Sequence, residues 1–393
     1  MAMTMATTTE EQHRLRLGLA RRVVVKVGSA LLTEPGRGLA REWIRVWCEE
    51  IHRLMGADRQ MLLVSSGAVA EGVARLGMKV RPATGHGLQA AAAVGQMGRV
   101  QAYEQAFAAH DRRTAMVLLT HEDLADRQRY LNARATLNTL LGLGVIPVIN
   151  ENDTVATDEI RFGDNDTLAA LVTNLLQADL LIILTDTNGL HEEDPRRNPD
   201  SPLVSWADAG DERLDSMVVG GPGELGRGGM VTKLKAARIA ARSGAHTVIA
   251  GGREGDVLTR IFDGAGVGTL LTASILPLDA RKRWIAGQLR AKGDLVLDPG
   301  AVEAVSTRGV SLLPVGIVAV RGRFARGDVV RCLDGAGQVI AQGLVNYSSE
   351  EAERLIGAVS SEINRRLGFA LEPELVHRDN LVVLNGALRP AAR

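Results

Sequence analysis

The sequence predicts a three-layer α/β domain with a mostly parallel, open sheet, followed by a small β-rich domain. From Arg22 to about Thr272, short apolar runs alternate with helical patterns. The runs at residues 23–27 and 180–184 are apolar almost throughout, which is typical of parallel strands that helices cover on both faces. After Thr272 the pattern changes to short β runs separated by turn signals, which predicts a second domain.

Strands and helices alternate along the first domain, and connections of this kind are right-handed, so helices are expected on both faces of the sheet. The predicted strands are residues 23–27, 61–64, 114–119, 145–149, 180–184 and 247–250. The predicted helices are residues 41–54, 67–75, 88–109, 132–141, 167–177 and 233–243.

The second domain is predicted at residues 290–386. Its clearest β runs are residues 316–320, 328–333 and 339–343, and the Asp-Gly-Ala-Gly segment at 334–337 indicates a hairpin turn between the last two.

The change in pattern also gives the other predicted boundaries. The α/β domain is expected at residues 22–275, a charged linker at 276–289 and a tail at 387–393. Residues 1–21 are polar and lack the apolar stretch of a signal peptide, so we expect a disordered extension there.

Composition argues against several classes of protein. Lys+Arg and Asp+Glu number 46 each, so charge gives no reason to expect nucleic acid or an anionic membrane as the main partner. Aromatic residues are only 3% of the chain, which disfavours a base-stacking surface. The apolar stretches are all shorter than the ~18 residues of a membrane span. Cys48 and Cys332 are too few for a disulfide framework or a metal cluster, which fits a reducing cytosol.

Small and polar residues collect where five of the predicted strands end. Open α/β sheets bind their ligands at the carboxyl ends of strands. One such ending is ordinary loop chemistry, but five at one edge predict a binding site. These endings are Gly28-Ser29, Ser65-Ser66-Gly67-Ala68, Asn150-Glu151-Asn152-Asp153, Thr185-Asp186 and Gly251-Gly252.

The densest polar stretch lies within residues 147–170 (PVINENDTVATDEIRFGDNDTLAA). One polar cluster, residues 150–153, ends a buried strand, and a second, residues 163–166, opens an alanine-rich helix. Asp and Asn also favour turns and helix caps, so a solvated, capped loop is the alternative. Two clusters on one strand-to-helix passage favour a pocket for a small polar molecule.

Two of the six lysines, Lys26 and Lys233, lie in glycine-rich motifs, in a chain whose other 40 basic residues are arginine. A retained lysine therefore indicates a need for a compact ammonium. Lys26 precedes Gly28 in an apolar run. In an edge strand its ammonium would reach solvent, but in a central strand it must meet an anion, and a phosphate oxygen would suit.

Two segments have the features of anion-binding helix starts. Residues 226–233 (GRGGMVTK) form a glycine-rich loop that enters a helix, where free backbone amides can approach a phosphate. Lys233 follows Thr232 rather than a glycine, so the P-loop pattern is not met, and a flexible surface loop is the alternative. Residues 65–68 (SSGA) fit either an anion-binding helix N-terminus or a plain N-cap serine.

No metal-ligand spacing and no Ser-His-Asp arrangement can be recognised, and His121, His191 and His246 are scattered. Transfer of a phosphoryl group to a hydroxyl usually needs a positioned base, whereas a carboxylate is already ionised near pH 7. Two lysines without a candidate base therefore predict phosphoryl transfer to a carboxylate.

Six motifs, in order and spacing, resemble the amino acid kinase family: VVVKVGS, SSGAVAEG, INENDTV, GDNDTLAA, LTDTNGL and GRGGMVTK. The INEND and GDND segments are similar to the branch of the family that phosphorylates the side-chain carboxylate of L-glutamate, the first step of proline synthesis. From Gly293 (GDLVLDPGA) the chain resembles the PUA domain that many of these enzymes carry.

The resemblance implies roles for the matched residues. Lys26 and Lys233 would neutralise the charge on the transferred phosphoryl group, and Asp166 would hold both lysines. The residues implied to bind glutamate are Ser66, Asn150, Asp153, Asp164 and Asn165, with Asp153 and Asp164 suited to its α-ammonium. The residues implied to bind ATP are Lys26, Gly28, Ser29, Thr185, Asp186, Arg227, Gly228, Gly229, Met230, Val231, Thr232 and Lys233. Arg227 stands where the family more often has a small hydroxyl residue.

The resemblance also implies cofactors and partners. ATP would be the phosphoryl donor, with Mg²⁺ carried mainly by phosphates and waters. Proline would be a feedback inhibitor, and glutamyl phosphate reductase a partner, because the acyl phosphate is labile. A cytoplasmic homo-oligomer is expected.

Two alternatives stay open. A sister kinase would act on acetylglutamate or aspartate, although the free ammonium partners in INEND disfavour the acetylated substrate. An RNA-associated protein would use the second domain, but residues 284–393 hold 13 Lys/Arg against 12 Asp/Glu, and salt-dependent RNA binding needs a basic face. The local basic cluster there is Arg321, Arg323 and Arg326.

Overall fold

The structure is a computed structural model that describes residues 2–34, 38–56, 58–155, 164–218, 229–274, 291–369 and 372–384. Its chain divides into two compact units, Met1–Pro277 and Leu278–Arg393.

The first unit contains a large sheet with helices on both faces. Its strands are β1 (Arg22–Val27), β2 (Thr33–Glu34), β3 (Gly38–Leu39), β4 (Gln60–Ser65), β5 (Thr114–Leu119), β6 (Ile146–Glu151), β7 (Leu180–Thr185), β8 (Trp206–Asp208), β9 (His246–Gly251) and β10 (Thr269–Thr272). Its helices are α1 (Ala2–Leu17), α2 (Ser29–Leu32), α3 (Arg41–Met55), α4 (Ala68–Arg75), α5 (Gly85–Ala108), α6 (His121–Ala125), α7 (Arg127–Gly142), α8 (Asn165–Leu176), α9 (Arg213–Val218), α10 (Met230–Ala241) and α11 (Val257–Phe262).

Within the described residues the sheet has eight strands, in the order β5-β6-β4-β1-β7-β9-β10-β8. Neighbouring strands run parallel except β9 and β10, which are antiparallel. Strands β2 and β3 form a separate antiparallel pair. The predicted parallel sheet is confirmed, and β1 occupies a central position between β4 and β7.

The apolar run in β1 is buried on both faces of the sheet, as predicted. Val23 and Val25 belong to one core, together with Trp47 of α3, whereas Val24 belongs to the core that contains Leu168 of α8. Successive side chains of a strand point to opposite faces, so Lys26 shares the face of Val24. Its position in a central strand therefore directs the ammonium toward the helix layer of α8 and α10.

All six predicted strands and all six predicted helices are present. The largest difference in bounds is at α7, which begins at Arg127 instead of 132 because Asp126 caps it, accepting a hydrogen bond from the amide of Arg129 (2.9 Å). Strands β8 and β10 were not predicted. They have only three and four residues, too few for a recognisable pattern.

The prediction that residues 1–21 are disordered is wrong, because α1 occupies most of that segment. Arg14 is only 3% exposed, and its guanidinium donates to the main-chain oxygens of Ser205 (2.7 Å), Val267 (3.1 Å) and Gly268 (3.1 Å). Leu17 is buried in the core of the unit. A buried guanidinium with several carbonyl partners and an apolar anchor tie this terminus to the domain.

The second unit is a small mixed sheet with short helices. Its strands are β11 (Gly293–Leu297), β12 (Ile317–Gly322), β13 (Val329–Leu333), β14 (Val339–Leu344) and β15 (Leu381–Val383). Its α-helices are α12 (Pro299–Arg308), α13 (Ser349–Arg354) and α14 (Ile363–Leu367), and its 3-10 turns are Pro314–Gly316, Ser360–Glu362 and Arg378–Asn380.

In the described part of this unit the sheet order is β12-β11-β13-β14-β15, and only β11 and β13 pair in parallel. The predicted hairpin turn is confirmed: the amide of Asp334 donates to the carbonyl of Gln338 (3.0 Å), and that of Gly337 to the carbonyl of Asp334 (3.0 Å). Leu295, Cys332 and other apolar side chains form a core of their own.

Among the residues that the structure describes, no helix has the length and apolar character needed to cross a bilayer.

Candidate active site

Five neighbouring parallel strands, β6, β4, β1, β7 and β9, end at the same edge of the sheet. The small and polar strand endings noted in the sequence therefore gather at one edge, as predicted. This is the edge at which open α/β sheets bind ligands.

A buried ion triad lies at this edge. The ammonium of Lys26, in β1, is 2.5 Å from Oδ1 of Asp166, and the ammonium of Lys233, in α10, is 3.2 Å from Oδ2 of the same carboxylate. The side chains of the two lysines are 5% exposed and that of Asp166 is 0% exposed. The structure thus brings together all three residues predicted to act in catalysis, and Lys26 meets the anion that a central strand requires.

The first turns of two helices position the carboxylate of Asp166. Asp164 is the N-cap of α8, and its side chain accepts from the amide of Thr167 (2.7 Å), which places Asp166 in the first helical turn. Thr232, in the first turn of α10, donates its hydroxyl to Oδ2 of Asp166 (2.7 Å). Thr232 was predicted to bind ATP, and its contact with Asp166 is an additional link that the sequence did not reveal.

Burial and neighbouring charges shift the pKa values of Asp166 and Lys26. Burial by itself would raise the pKa of Asp166, but Lys26 and Lys233 outweigh it and lower the pKa below the usual Asp value. Burial lowers the pKa of Lys26, and the attraction of Asp166 only partly opposes this. One carboxylate between two ammonium groups leaves a net positive charge that an incoming anion can compensate.

A hydrogen-bond network of neutral amides and a hydroxyl is centred on Asn165, the residue that precedes Asp166 at the start of α8. The side-chain amide nitrogen of Asn165 donates to Ser66 Oγ (2.8 Å) and to Asn150 Oδ1 (2.9 Å). The amide nitrogen of Asn150 is 3.5 Å from Oδ2 of Asp153. The network joins the ends of β4 and β6 to α8, and it brings together four of the five predicted glutamate-binding residues.

Ser66 belongs to this network and is not a helix cap. The N-cap of α4 is Gly67, with φ +94° and no side-chain cap bond. That left-handed conformation suits glycine, because a side chain would be strained there. The alternative of a plain N-cap serine at residues 65–68 is therefore wrong.

Asp164, the fifth predicted glutamate-binding residue, makes the contacts of a helix cap. Its two carboxylate oxygens accept from the amide and, at 3.2 Å, from the hydroxyl of Thr167. Burial raises its pKa, which the bond from the amide of Thr167 partly offsets. The capping alternative holds for this residue, and its contact with an acceptor stays a prediction.

The ends of β1 and β7 carry residues predicted to bind ATP. The amide of Gly28 donates to the carbonyl of Leu184 (3.1 Å), and a Cβ on Gly28 would lie 3.7 Å from the ammonium of Lys26. The missing side chain thus leaves space beside that ammonium for an anionic oxygen. The hydroxyl of Thr185 donates to Asp186 (3.0 Å), and the main-chain carbonyl of Thr185 accepts from the amide of Gly252 (2.9 Å).

The glycine-rich loop is described only in its last residues. Arg227 and Gly228 lie outside the described residues, as does Gly163. Gly229 is the N-cap of α10, and Met230 and Val231 begin the helix. Ser29 begins α2 and is exposed.

Three buried polar residues of α5 were not singled out in the sequence. Gln96, Arg99 and Tyr103 contact the last residues of β4 and β6. The available signal was polar residues at helical spacing in an otherwise alanine-rich helix.

No group of three or more His, Cys, Asp or Glu side chains that could hold a metal ion occurs in the described ranges.

The chain belongs to the amino acid kinase family, whose model matches residues 21–251, and residues 293–367 match the PUA domain model. The predicted fold class, a three-layer α/β kinase domain with a C-terminal PUA-like domain, is confirmed. A solved UMP kinase from Bacillus anthracis is similar at 16% identity and a TM-score of 0.46, over 65% of this chain and 97% of that one.

Three curated bacterial proteins are similar to this chain over nearly their whole lengths. Glutamate 5-kinase of Thioalkalivibrio sulfidiphilus is 60% identical over 95% of this chain and 100% of that protein. Glutamate 5-kinase of Chromobacterium violaceum is 58% identical over 92% of this chain and 98% of that protein. Glutamate 5-kinase of Pseudomonas aeruginosa is 60% identical over 93% of this chain and 98% of that protein.

Proposed function

We propose that this chain catalyses the ATP-dependent phosphorylation of the side-chain carboxylate of L-glutamate to L-glutamyl 5-phosphate, the first step of proline biosynthesis. The observation that carries the proposal is the buried triad of Lys26, Asp166 and Lys233 beside an amide network at one sheet edge. Relatives named glutamate 5-kinase, 58% and 60% identical over nearly their whole lengths, support the choice of reaction.

The triad supplies the electrostatic part of catalysis. Negative charge develops on the oxygens of the transferred phosphoryl group, and the ammonium groups of Lys26 and Lys233 stabilise it. At ~4 Å and an effective dielectric near 20, each such contact contributes on the order of 4 kcal/mol before desolvation is counted. Asp166 holds both ammonium groups in place, so little reorganisation accompanies the reaction.

The amide network supplies acceptor binding. Both hydrogens of the Asn165 amide are committed to Ser66 and Asn150, which leaves the hydroxyl proton of Ser66 free to donate to a substrate carboxylate. The carbonyl oxygen of Asn165 can accept from the α-ammonium of glutamate. Asp153 and Asp164 add negative charge for that ammonium.

The reaction needs no general base, because the attacking group is already ionised. An oxygen of the side-chain carboxylate attacks the γ-phosphorus of ATP, and the bond to the oxygen that bridges the β- and γ-phosphates breaks. ADP leaves with that oxygen. Catalysis is then positioning for in-line attack combined with charge stabilisation.

ATP is assigned to the ends of β1 and β7, with Gly28, Ser29, Thr185 and Asp186, and to the loop of residues 227–233. Mg²⁺ would screen the charge of the phosphates and would be carried by phosphate oxygens and waters. This fits the structure of the triad, because the carboxylate of Asp166 is already engaged by two ammonium groups and the hydroxyl of Thr232.

Regulation and partners follow from the same reaction. Proline shares the α-carboxylate and a cationic nitrogen with glutamate, so it is assigned to the acceptor half as a feedback inhibitor. The labile acyl phosphate favours direct transfer to glutamyl phosphate reductase. A cytoplasmic homo-oligomer completes the proposal.

A substrate panel tests the proposed function. ADP release is measured with L-glutamate, N-acetyl-L-glutamate and L-aspartate, each with and without proline. The expected result is release that depends on L-glutamate and falls when proline is added. Activity with acetylglutamate or aspartate alone would assign the chain to a sister kinase, and tight, salt-sensitive RNA binding without ADP release would favour the RNA-associated alternative.

A further inference from the structure

Helix α5 carries a row of three buried polar side chains. Gln96, Arg99 and Tyr103 are spaced by three and four residues, so they lie on one face of the helix. Their exposed fractions are 5%, 0% and 1%. The same helix buries four alanines and Phe107, so the row is a polar stripe on an otherwise apolar face.

The row contacts the ends of two strands. The guanidinium of Arg99 donates to the main-chain oxygen of Ser65 and to Oε1 of Gln96. The amide nitrogen of Gln96 lies 3.5 Å from the main-chain oxygen of Glu151, and the hydroxyl of Tyr103 is 2.9 Å from Ser65 Oγ. Ser65 and Glu151 are the last residues of β4 and β6. Arg99 is therefore linked to the end of β4 directly and to the end of β6 through Gln96, next to the acceptor-binding residues Ser66 and Asn150.

The charge of Arg99 is also placed where it affects the acceptor half. Burial lowers the pKa of Arg99 to about 10, and the charge of Asp153 is among the influences that oppose this shift. The guanidinium is thus charged near neutral pH, and its Nε, also buried, has no hydrogen-bond partner within the described part of the chain. It is a third buried cation beside the site, in addition to the two lysines.

A purely structural role accounts poorly for this residue. Taking a charged group out of water is costly, and the hydrogen-bond partners of the Arg99 guanidinium are neutral oxygens that do not compensate its charge. A neutral donor could make the same hydrogen bonds to Ser65 and Gln96 without the cost of burying a charge. Retaining the charge at this point indicates a use in the site.

We propose that Arg99 is a positioning residue for the acceptor. Through Ser65 and Gln96 it holds the ends of β4 and β6 at the separation that Ser66 and Asp153 need in order to bind the acceptor. The positive charge of Arg99 offsets the negative charge of Asp153, so that an acceptor bearing carboxylates can bind beside Asp153. The inference deepens the proposed function and rests on it only in requiring that an amino-acid acceptor binds at Ser66 and Asp153.

The test compares Arg99→Leu, Arg99→Lys and a control, Gln105→Leu, on the exposed face of the same helix. KM for the acceptor, KM for ATP, kcat and the thermal midpoint are measured in the full-length enzyme. In Arg99→Leu we expect the acceptor KM to rise by roughly tenfold or more, as for the loss of a hydrogen bond to a charged group, with an unchanged KM for ATP. The thermal midpoint should fall, because the oxygens of Ser65 and Gln96 lose their donor. Arg99→Lys should recover part of the acceptor KM, and the control should match the unsubstituted enzyme.

An unchanged acceptor KM in folded Arg99→Leu would overturn the proposal, as would equal rises in the two KM values. If that variant does not fold, Gln96→Leu decides, since it removes the link to Glu151 and keeps the charge. A smaller rise in acceptor KM is expected there, and no rise would count against the proposal. The acceptor is whichever compound the unsubstituted enzyme phosphorylates in the substrate panel, so failure of the glutamate assignment leaves this test intact.

Discussion

The two halves of the site are built from different interactions. The phosphoryl half is a buried ion triad, with Lys26, Asp166 and Lys233 placed by a central strand and the first turns of two helices. The acceptor half is a partly exposed network of amides and a hydroxyl, centred on Asn165, at strand ends and the start of α8. Charge holds the first half together, and hydrogen-bond geometry holds the second.

This difference follows from what each half has to do. Charge stabilisation of a transferred phosphoryl group is strongest from preorganised groups that exclude water. Recognition of an amino acid requires donors and acceptors that exchange water for the ligand, so these groups remain accessible. We therefore expect substitutions in the phosphoryl half to lower kcat and stability, and those in the acceptor half to raise KM.

The largest effect is expected from Asp166→Asn. It leaves two buried ammonium groups side by side without their counter-charge, so unfolding free energy should fall by about 3–5 kcal/mol. The ammonium groups also lose their positions, so kcat should fall by about 10²–10³-fold or more. Urea unfolding and steady-state kinetics measure both. The control is Asp215→Asn, whose carboxylate pairs with Arg238 at the exposed surface and should change neither quantity. Wild-type kcat in Asp166→Asn would contradict the role of the triad.

A smaller effect on stability is expected from Lys26→Met or Lys233→Met. Each variant removes one ammonium and leaves Asp166 with the other, so its buried charge stays paired. We expect kcat to fall by about 100-fold, with the KM for glutamate changed far less. The kinetics of both variants check this. If the glutamate KM changed more than kcat, the lysines would belong to the acceptor half, which would contradict this account.

The third effect is expected in the acceptor half, from Asn165→Ala. It removes the donor to both Ser66 and Asn150, so the KM for glutamate should rise by roughly tenfold while kcat falls far less. The matched control on the same helix is Asn174→Ala, which removes a bond to the carbonyl of Ile239 and should lower stability alone. Equal losses of kcat in Asn165→Ala and Lys26→Met would remove the distinction between the halves.

The smallest effect is expected in the pH dependence of stability. The pKa of Asp166 is lowered in the folded state, so its ion pairs stabilise the fold above the usual Asp pKa, and this contribution is lost as pH falls through the lowered value. The difference in unfolding free energy between the unsubstituted protein and Asp166→Asn should be steady above about pH 5 and should narrow in more acidic solution. Urea titrations from neutral to strongly acidic pH check this. A difference that does not narrow would show that the carboxylate is not paired in the fold.

The general plan of the phosphoryl half could be predicted from the sequence, for identifiable physical reasons. An apolar run predicts a strand buried on both faces, and a lysine inside such a strand must have an anionic partner. Lys26 meets Asp166 in that way. The shared sheet edge followed from parallel strands, which all end on the same side.

Other features depend on contacts between residues far apart in sequence. Arg14 bonds to carbonyls about 190 to 250 positions away, so nothing in the local pattern of residues 1–21 distinguishes an anchored helix from a disordered extension. Arg99 contacts a strand end 34 positions away, and polar residues in an alanine-rich helix are as compatible with an exposed face. The cap of α4 depended on the backbone angle of Gly67, which the Ser-Ser-Gly sequence alone does not determine.

The most direct measurement identifies the phosphorylated group itself. The enzyme is incubated with ATP, Mg²⁺, L-glutamate and hydroxylamine, and the trapped product is identified by mass spectrometry against authentic hydroxamates. A triad that neutralises the phosphoryl group next to an acceptor held by its amino-acid end predicts the 5-hydroxamate of glutamate, formed in step with ADP. The 1-hydroxamate, or ADP release without any hydroxamate, would contradict the proposed reaction.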